Sequence, residues 1–325
     1  MIATAPTLPE VRELAVNLQP WVVRTPVLRC RALEDALGNG LEIHAKLEFL
    51  QQTGTFKARG ALSNLLSLDA TQRAAGVTAV SAGNHAIATA FAARAVGTTA
   101  KVVMMKSANP FRVARCEQYG AEIVTAEDAH AAFELVDEIQ QKEGRVLIHP
   151  FEGPNVARGT ATLGLEIHEQ VPDADAVIVA IGGGGLCGGM ASAVKQANPR
   201  CQVIGVEPAG ADTMRRSFAS GKPERIDRVD TIADSLGAPF AGPLSFALCR
   251  EFVDDLVLVS DDDLRRWMGW YFHEMKMALE PACVAGTAAL ADSLTGRLRG
   301  RRVVLILCGS NIDWESFERL ADLDT

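Results

Sequence analysis

Lys57 sits where an amine could do chemistry. It lies in the segment Thr53-Gly54-Thr55-Phe56-Lys57-Ala58-Arg59-Gly60-Ala61, just after a turn-forming glycine and early in a run with helical character through Ala61, Leu62, Leu65 and Leu66. A lysine held in a partly desolvated pocket loses its proton more readily and becomes a nucleophile. Three other segments supply groups that such an amine would work with. Ser81-Ala82-Gly83-Asn84-His85 joins the apolar run Val77 to Val80 to the helix-like Ala86 to Ala95, so it reads as a polar turn at a helix start. The unpaired N–H groups of a helix N-terminus favour an anion such as a carboxylate. Gly182-Gly183-Gly184-Gly185-Leu186 follows the strand-like Ala176 to Ile181 and precedes a helix from Gly188 to Lys195, which makes a phosphate cradle. It lacks the Lys-Ser/Thr pair of a nucleotide P-loop and does not match Gly-x-Gly-x-x-Gly with an acidic partner. Leu307-Cys308-Gly309-Ser310-Asn311 puts small polar groups after the strand-like Arg302 to Ile306, at the strand end where open α/β sheets bind ligands.

An amine for an aldehyde, N–H donors for a phosphate and a neutral partner for a ring nitrogen together suit pyridoxal 5'-phosphate. The order and spacing of these segments resemble the fold-type II pyridoxal-phosphate enzymes, and within them the serine/threonine dehydratase (ammonia-lyase) and serine racemase family. The likeness runs from about Thr25-Pro26-Val27-Leu28 to Asn311. It takes in Lys46-Leu47-Glu48, His149-Pro150-Phe151, Gly205-Val206-Glu207-Pro208, Thr231-Ile232-Ala233-Asp234 and Glu280-Pro281. The resemblance implies that Lys57 bonds the cofactor's aldehyde, that Phe56 packs against its ring and that Asn84 hydrogen-bonds the ring hydroxyl. Gly182, Gly183, Gly184, Gly185 and Leu186 would hold the phosphate through backbone N–H groups, and Cys308 would face the pyridine nitrogen. Ser81, Ala82, Asn84 and His85 would surround the substrate carboxylate. A divalent cation (Mg or Ca) on Glu207 and the Ala211 carbonyl, and a homodimer, are further expectations from the family.

The departures from the family pattern sharpen the reading. Family racemases place a serine between Ser81 and Gly83 as a second acid/base, whereas this chain has Ala82, which moves no proton. Cys308 replaces the serine of many members, as in liver-type serine dehydratases. A neutral group there leaves the ring a weaker electron sink, which favours prompt loss of a β-leaving group. At the cation site the family's second carboxylate is replaced by Thr213, with Asp212 beside it. Near Arg158, where the family reads Gly-Gln-Gly-Thr, the run is Gly159-Thr160-Ala161-Thr162. Glu280 reads as a packing or capping residue, and His149, His168 and His273 as structural or surface. The resemblance thus implies an ammonia-lyase that takes a β-hydroxy L-amino acid to a 2-oxo acid and ammonia. Threonine and serine are the default substrates, and phenylserine or hydroxyaspartate types stay open. A serine or aspartate racemase, or a β-replacing enzyme of the cysteine-synthase type, is the alternative.

Composition is consistent with this class. The 325-residue chain carries a net charge of −8 and has no basic run, which argues against nucleic acid and anionic membrane as partners. A small amino-acid substrate suits it better. No stretch is long and apolar enough to span a bilayer, and Met1 to Trp21 lacks the pattern of a secretory signal. Seven scattered cysteines with no Cys-x-x-Cys pair suggest reduced thiols and a cytoplasmic setting. The chain ends soon after Asn311, so no appended regulatory domain is expected.

Elements of alternating type must position these groups. Strands are expected at Leu41 to Leu47, Val77 to Ser81, Ala100 to Met105, Glu122 to Thr125, Arg145 to His149, Ala176 to Ile181, Gln202 to Glu207, Leu256 to Val259 and Arg302 to Leu307. Helices between them include Asn84 to Val96, Ala129 to Gln141, Asp261 to Ala278 and Ala282 to Leu294. Such alternation predicts an α/β fold with parallel-rich open sheets flanked by helices. The resemblance adds a two-lobed arrangement like the tryptophan synthase β chain, with the cofactor in the cleft. Residues 1–52 and 149–325 would form the large phosphate-binding domain and 53–148 the small mobile one. Pro208 to Pro243, rich in Gly, Pro and charge, reads as a mobile or assembly segment.

Overall fold

The computed structural model describes residues 5–323. Its strands, in chain order, are β1 (Val27–Arg29), β2 (Glu42–Lys46), β3 (Val77–Val80), β4 (Ala100–Met105), β5 (Glu122–Ala126), β6 (Val146–Leu147), β7 (Ala176–Ala180), β8 (Gln202–Pro208), β9 (Asp255–Val259) and β10 (Arg302–Ile306). They form two sheets, ordered β1-β2-β10-β7-β8-β9 and β5-β4-β3-β6. Every pairing is parallel except β1 with β2. The central strands carry apolar residues on both faces: all of β7, Ala-Val-Ile-Val-Ala, is buried. That is what a parallel strand covered by helices on both sides requires.

The sequence expectation for the strands agrees with the fold to within a residue or two at most ends. The short edge strand β1 was not foreseen. Two helices end differently from expectation. The helix Asp261–Met275 stops three residues early, because Lys276 adopts a left-handed conformation at φ 57°. The helix starting at Pro281 keeps its α form only to Ala289 and then widens by one residue per turn through Leu290–Leu294.

Two features of this fold position the site. First, β10 lies between β2 and β7, so the segments that leave the ends of β7 and β10 emerge side by side. This is the crevice at a switch in strand order where open α/β sheets take up ligands. Second, the helix Lys57–Leu66 is tied to the larger sheet by buried charge. Arg59, 1% exposed, donates to both oxygens of Glu48 at 2.8 Å and to Glu166 at 2.8 and 3.0 Å. Lys46 on β2 closes the network on Glu166 at 2.6 Å. Two acids and two bases balance, and each is held by hydrogen bonds, as buried charges must be. The Gly159 run also serves this packing: a Cβ at Gly159 would lie 2.5 Å from the Arg59 carbonyl oxygen.

Candidate active site

Lys57 is held in place by a stitch between distant parts of the chain. Thr55 forms a single antiparallel bridge with Gly309. The Phe56 N–H donates to the Cys308 carbonyl at 3.2 Å, and the Ser310 N–H to the Gly54 carbonyl at 3.1 Å. The Asn311 amide donates to the Thr53 carbonyl at 2.7 Å. Gly54 has φ +73°, and a Cβ there would sit 2.7 Å from Asn311 Oδ1, so conformation and space both call for glycine. The result places Lys57 and Cys308 on one cavity. The Lys57 ammonium donates to the Pro150 carbonyl at 2.6 Å and lies 5.2 Å from the Phe56 ring centroid. Burial lowers the Lys57 pKa to about 8, opposed by the negative potential of Cys308 and Glu280.

The glycine turn faces the lysine. It leaves β7 and enters the helix Gly185–Ala197, with Gly184 at φ 88° just before the first turn. Phe151 fills the space behind it, so that a Cβ at Gly183 would lie 2.1 Å from its ring. Thr160 donates to the Gly185 carbonyl at 2.8 Å and fixes the turn from the neighbouring helix. Phe56, Lys57, Asn84, Gly182 to Leu186 and Cys308 all line this cavity, together with Ser235 and Glu280.

Ser81, Ala82, Asn84 and His85 meet Lys57 in an adjoining cavity of about 510 Å³. The helix Asn84–Ala95 begins here, and no side chain caps its N-terminus. Ser81 Oγ accepts from the Gly83 N–H at 3.2 Å and sets the turn. His85 donates from Nε2 to the Ile148 carbonyl at 2.8 Å. Burial, with the Lys57 charge nearby, lowers its pKa to about 3, so the ring is neutral and turned to the backbone.

Some participants were not recognised from sequence. Glu280 stands at the start of the helix Pro281–Ala289 but makes no capping bond. Its buried carboxylate instead accepts from Asn84 Nδ2 at 2.8 and 3.1 Å and from Ser235 at 3.2 Å. Burial raises its pKa, and Asp234 adds to the rise, while the Asn84 bond, Arg112 and the Ser235 bond oppose it. Arg112 pairs with Asp234 and also donates to the Asn311 carbonyl at 3.2 Å, spanning the space between the sheets. His149, expected to be structural, lines the larger cavity. Its Nδ1 accepts from the Phe151 and Glu152 N–H groups at 3.3 and 3.0 Å. The signals for Glu280 and Asp234 were in the sequence, as Glu280-Pro281 and Thr231 to Asp234, but neither pattern says which way the carboxylate points.

A half-buried, readily deprotonated lysine facing a glycine cradle defines an enzyme that works through an aldehyde cofactor bearing a phosphate. The chain belongs to the family described as "Pyridoxal-phosphate dependent enzyme", which it matches over residues 18–309. It is 53% identical to the phenylserine dehydratase of Ralstonia pickettii, over 97% of this chain and 96% of that protein. It is 35% identical to the L-threonine ammonia-lyase of Thermotoga maritima, over 97% of this chain and 78% of that protein. Among solved structures, maize serine racemase superposes with a TM-score of 0.90 at 34% identity, covering 97% of each chain. Lyases and a racemase therefore share this fold, and the reaction must be argued from the site.

The residues present fit pyridoxal 5'-phosphate. The cavity sets an amine, a glycine turn at a helix N-terminus and a thiol around one space, which are the groups its aldehyde, phosphate and ring nitrogen need. Because only the neutral amine attacks an aldehyde, capture of the cofactor by cofactor-free protein is expected to speed up with pH. A pKa of about 8 for Lys57 predicts an increase of about tenfold from pH 7 to 9, then a plateau. Stopped-flow absorbance would follow it; continued acceleration past pH 10 would mean that the amine is not perturbed.

The residues of the expected cation site are engaged within the protein. Both oxygens of Glu207 accept from backbone N–H groups, Met214 at 2.7 Å and Arg215 at 2.8 Å, at the start of the helix Thr213–Ser220. Asp212 is paired with Arg216 at 2.7 Å, and Thr213 donates its hydroxyl to the Ala238 carbonyl at 2.8 Å. Ala211 is buried beside them. Among the described residues no group of three or more His, Cys, Asp or Glu side chains is arranged to hold a metal. The set of Glu207 and the Ala211 carbonyl is incomplete for a hard cation, which takes several oxygens. Millimolar Mg or Ca, or chelator, is expected to leave the melting temperature unchanged within about 1 °C, whereas a site of 100-fold saturation would add about 2.7 kcal/mol.

Proposed function

We propose that the protein is a pyridoxal-phosphate dependent dehydratase (ammonia-lyase) for β-hydroxy L-amino acids bearing a large apolar β-substituent, of the phenylserine type. One observation carries the substrate assignment: the 510 Å³ cavity that opens from Lys57 is walled by Met105, Phe133, Leu147, Phe151, Pro239 and Phe240. Met105, Phe133 and Leu147 are 36%, 56% and 37% exposed, a cost that a phenyl ring in the cavity would offset. Serine and threonine are too small to reach these walls, and an acidic substituent would meet mostly apolar surface. The name of the Ralstonia pickettii relative supports the same substrate class.

When bound, the cofactor supplies the electron sink that makes the α-proton removable. The chain's residues do the rest. Lys57 bonds the cofactor, then as a free amine takes the α-proton, and its fixed place beside Cα supplies much of the rate. Ser81, Asn84 and the uncapped helix start hold the substrate carboxylate. Asn84 and Cys308 hold the cofactor ring, against Phe56, and Gly182 to Leu186 its phosphate. Ala82 stands where a racemase would need a second acid/base, so elimination is favoured over proton return from the opposite face. Residues 53–148 act as the small domain, and the Arg112–Asp234 pair and the Asn109 bond to Asp313 at 2.6 Å support a closure of that domain over the cleft. The cysteines are all free and buried, which supports a reducing compartment such as the cytoplasm.

The test is 2-oxo acid release from L-threo-phenylserine, L-threonine, L-serine and the 3-hydroxyaspartates. Burying a phenyl group is worth about 2–3 kcal/mol, so kcat/KM for phenylserine should exceed that for threonine by at least about 30-fold. Equal rates for threonine, or a preference for hydroxyaspartate, would overturn the substrate class. Loss of α-deuterium without 2-oxo acid would overturn elimination itself.

A further inference from the structure

Asn84 is engaged on both edges of its amide. Its Oδ1 accepts from Asn311 Nδ2 at 2.9 Å, and its Nδ2 donates to the Glu280 carboxylate at 2.8 and 3.1 Å and to Ser235 Oγ at 3.2 Å. The Thr53 carbonyl can only accept, which fixes the Asn311 NH2 group and, through it, the Asn84 oxygen, so the Asn84 edge that meets Glu280 carries the NH2 group. Glu280 is 2% exposed and lines the same cavity as Lys57, the glycine turn and Cys308. Gly309 leaves the carboxylate its place, since a Cβ there would lie 2.8 Å from Glu280 Oε1. The Glu280 bond, at 2.8 Å, is shorter than the Ser235 bond at 3.2 Å, so Glu280 is the stronger of the two partners.

We propose that Glu280 is a positioning residue: it takes one hydrogen of the Asn84 NH2 group and so aims the other at the cofactor ring. Ser235 holds that second hydrogen only by the longer contact, 3.2 Å, and releases it when a ring oxygen enters the cavity. Without Glu280 the amide would be held only at its oxygen edge, by Asn311, and its NH2 group would be aimed less firmly at the ring oxygen. The inference rests on the reading of Asn84 as a ring contact, and it is independent of the substrate.

The test is a double-mutant cycle on pyridoxal 5'-phosphate affinity, read from the visible absorbance of cofactor-free protein titrated with the cofactor. Glu280→Met keeps the volume and removes the acceptor, and should weaken binding by about tenfold, the value of one hydrogen bond. Glu280→Gln keeps an acceptor oxygen for Asn84 and should restore affinity to within about threefold of wild type. In the Asn84→Ala background, Glu280→Met should cost no more than about twofold, because the group it positions is gone. Full-strength loss in that background, or no loss in Glu280→Met alone, would overturn the proposal. Should Glu280→Met fail to fold, Glu280→Leu takes its place in the cycle, with the same losses expected and the same results overturning the proposal. If Asn84→Ala binds the cofactor like wild type, the reading of Asn84 falls, and this inference with it, while the dehydratase assignment stands.

Discussion

Lys57→Ala is expected to release 2-oxo acid at least about a thousandfold more slowly than wild type from every substrate, including phenylserine. The same amine anchors the cofactor and takes the α-proton in the proposed reaction, so its loss removes two functions at once. No neighbour substitutes for it. His85 is turned to the Ile148 carbonyl and is held neutral, with a pKa lowered to about 3. The variant should still fold, because the Lys57 side chain makes one hydrogen bond, to the Pro150 carbonyl. Single-turnover assay beside a thermal melt separates the two effects. Turnover within tenfold of wild type in a folded variant would remove Lys57 from the chemistry.

Glu48→Ala should produce the largest loss of stability of any change outside the cavity, about 3–5 kcal/mol by denaturant titration. The substitution deletes one of the two acids that balance Arg59 and Lys46, and leaves a buried guanidinium with Glu166 alone. The cost is that of an uncompensated charge, not of the deleted contact. Replacing Arg59 by Met in the same background should return part of the loss, because it removes the stranded charge. Absence of any such recovery would show that Glu48 contributes by packing.

The parts of this site legible in the sequence are those carried by local pattern. Parallel strands buried on both faces read as continuous apolar runs, so Ala176 to Ile181 and Arg302 to Leu307 could be placed, and the polar segments after them with them. Lys57, the glycine run, the Ser81 to His85 turn and Cys308 each lie directly after such a run or beside a turn glycine. Glu280 read as packing or capping because the local pattern of Glu-Pro at a helix start is the same whether the side chain caps the helix or leaves it; it is buried but does not cap. Its partner Asn84 lies 196 positions away, and no periodicity encodes that meeting. The cation set is incomplete for a related reason: Gly-Val-Glu-Pro places Glu207 at the end of β8, but which oxygens come near it depends on where the next helix starts. The apolar cavity is made of Met105, Phe133, Leu147 and Phe240, contributed by separate elements, so only the folded chain brings its walls together.

The place of β10 has a consequence for how the protein is made. Synthesis runs from the N-terminus, and this strand enters the middle of the larger sheet, between β2 and β7, when most of the chain already exists. Until it arrives, β2 and β7 each present an open hydrogen-bonding edge, the kind that invites pairing with other chains. The bridge from Thr55 to Gly309 cannot close before then either. A nascent chain on the ribosome therefore holds its lysine without the surroundings that orient it, and a product truncated before Arg302 should be prone to aggregate and unable to retain the cofactor.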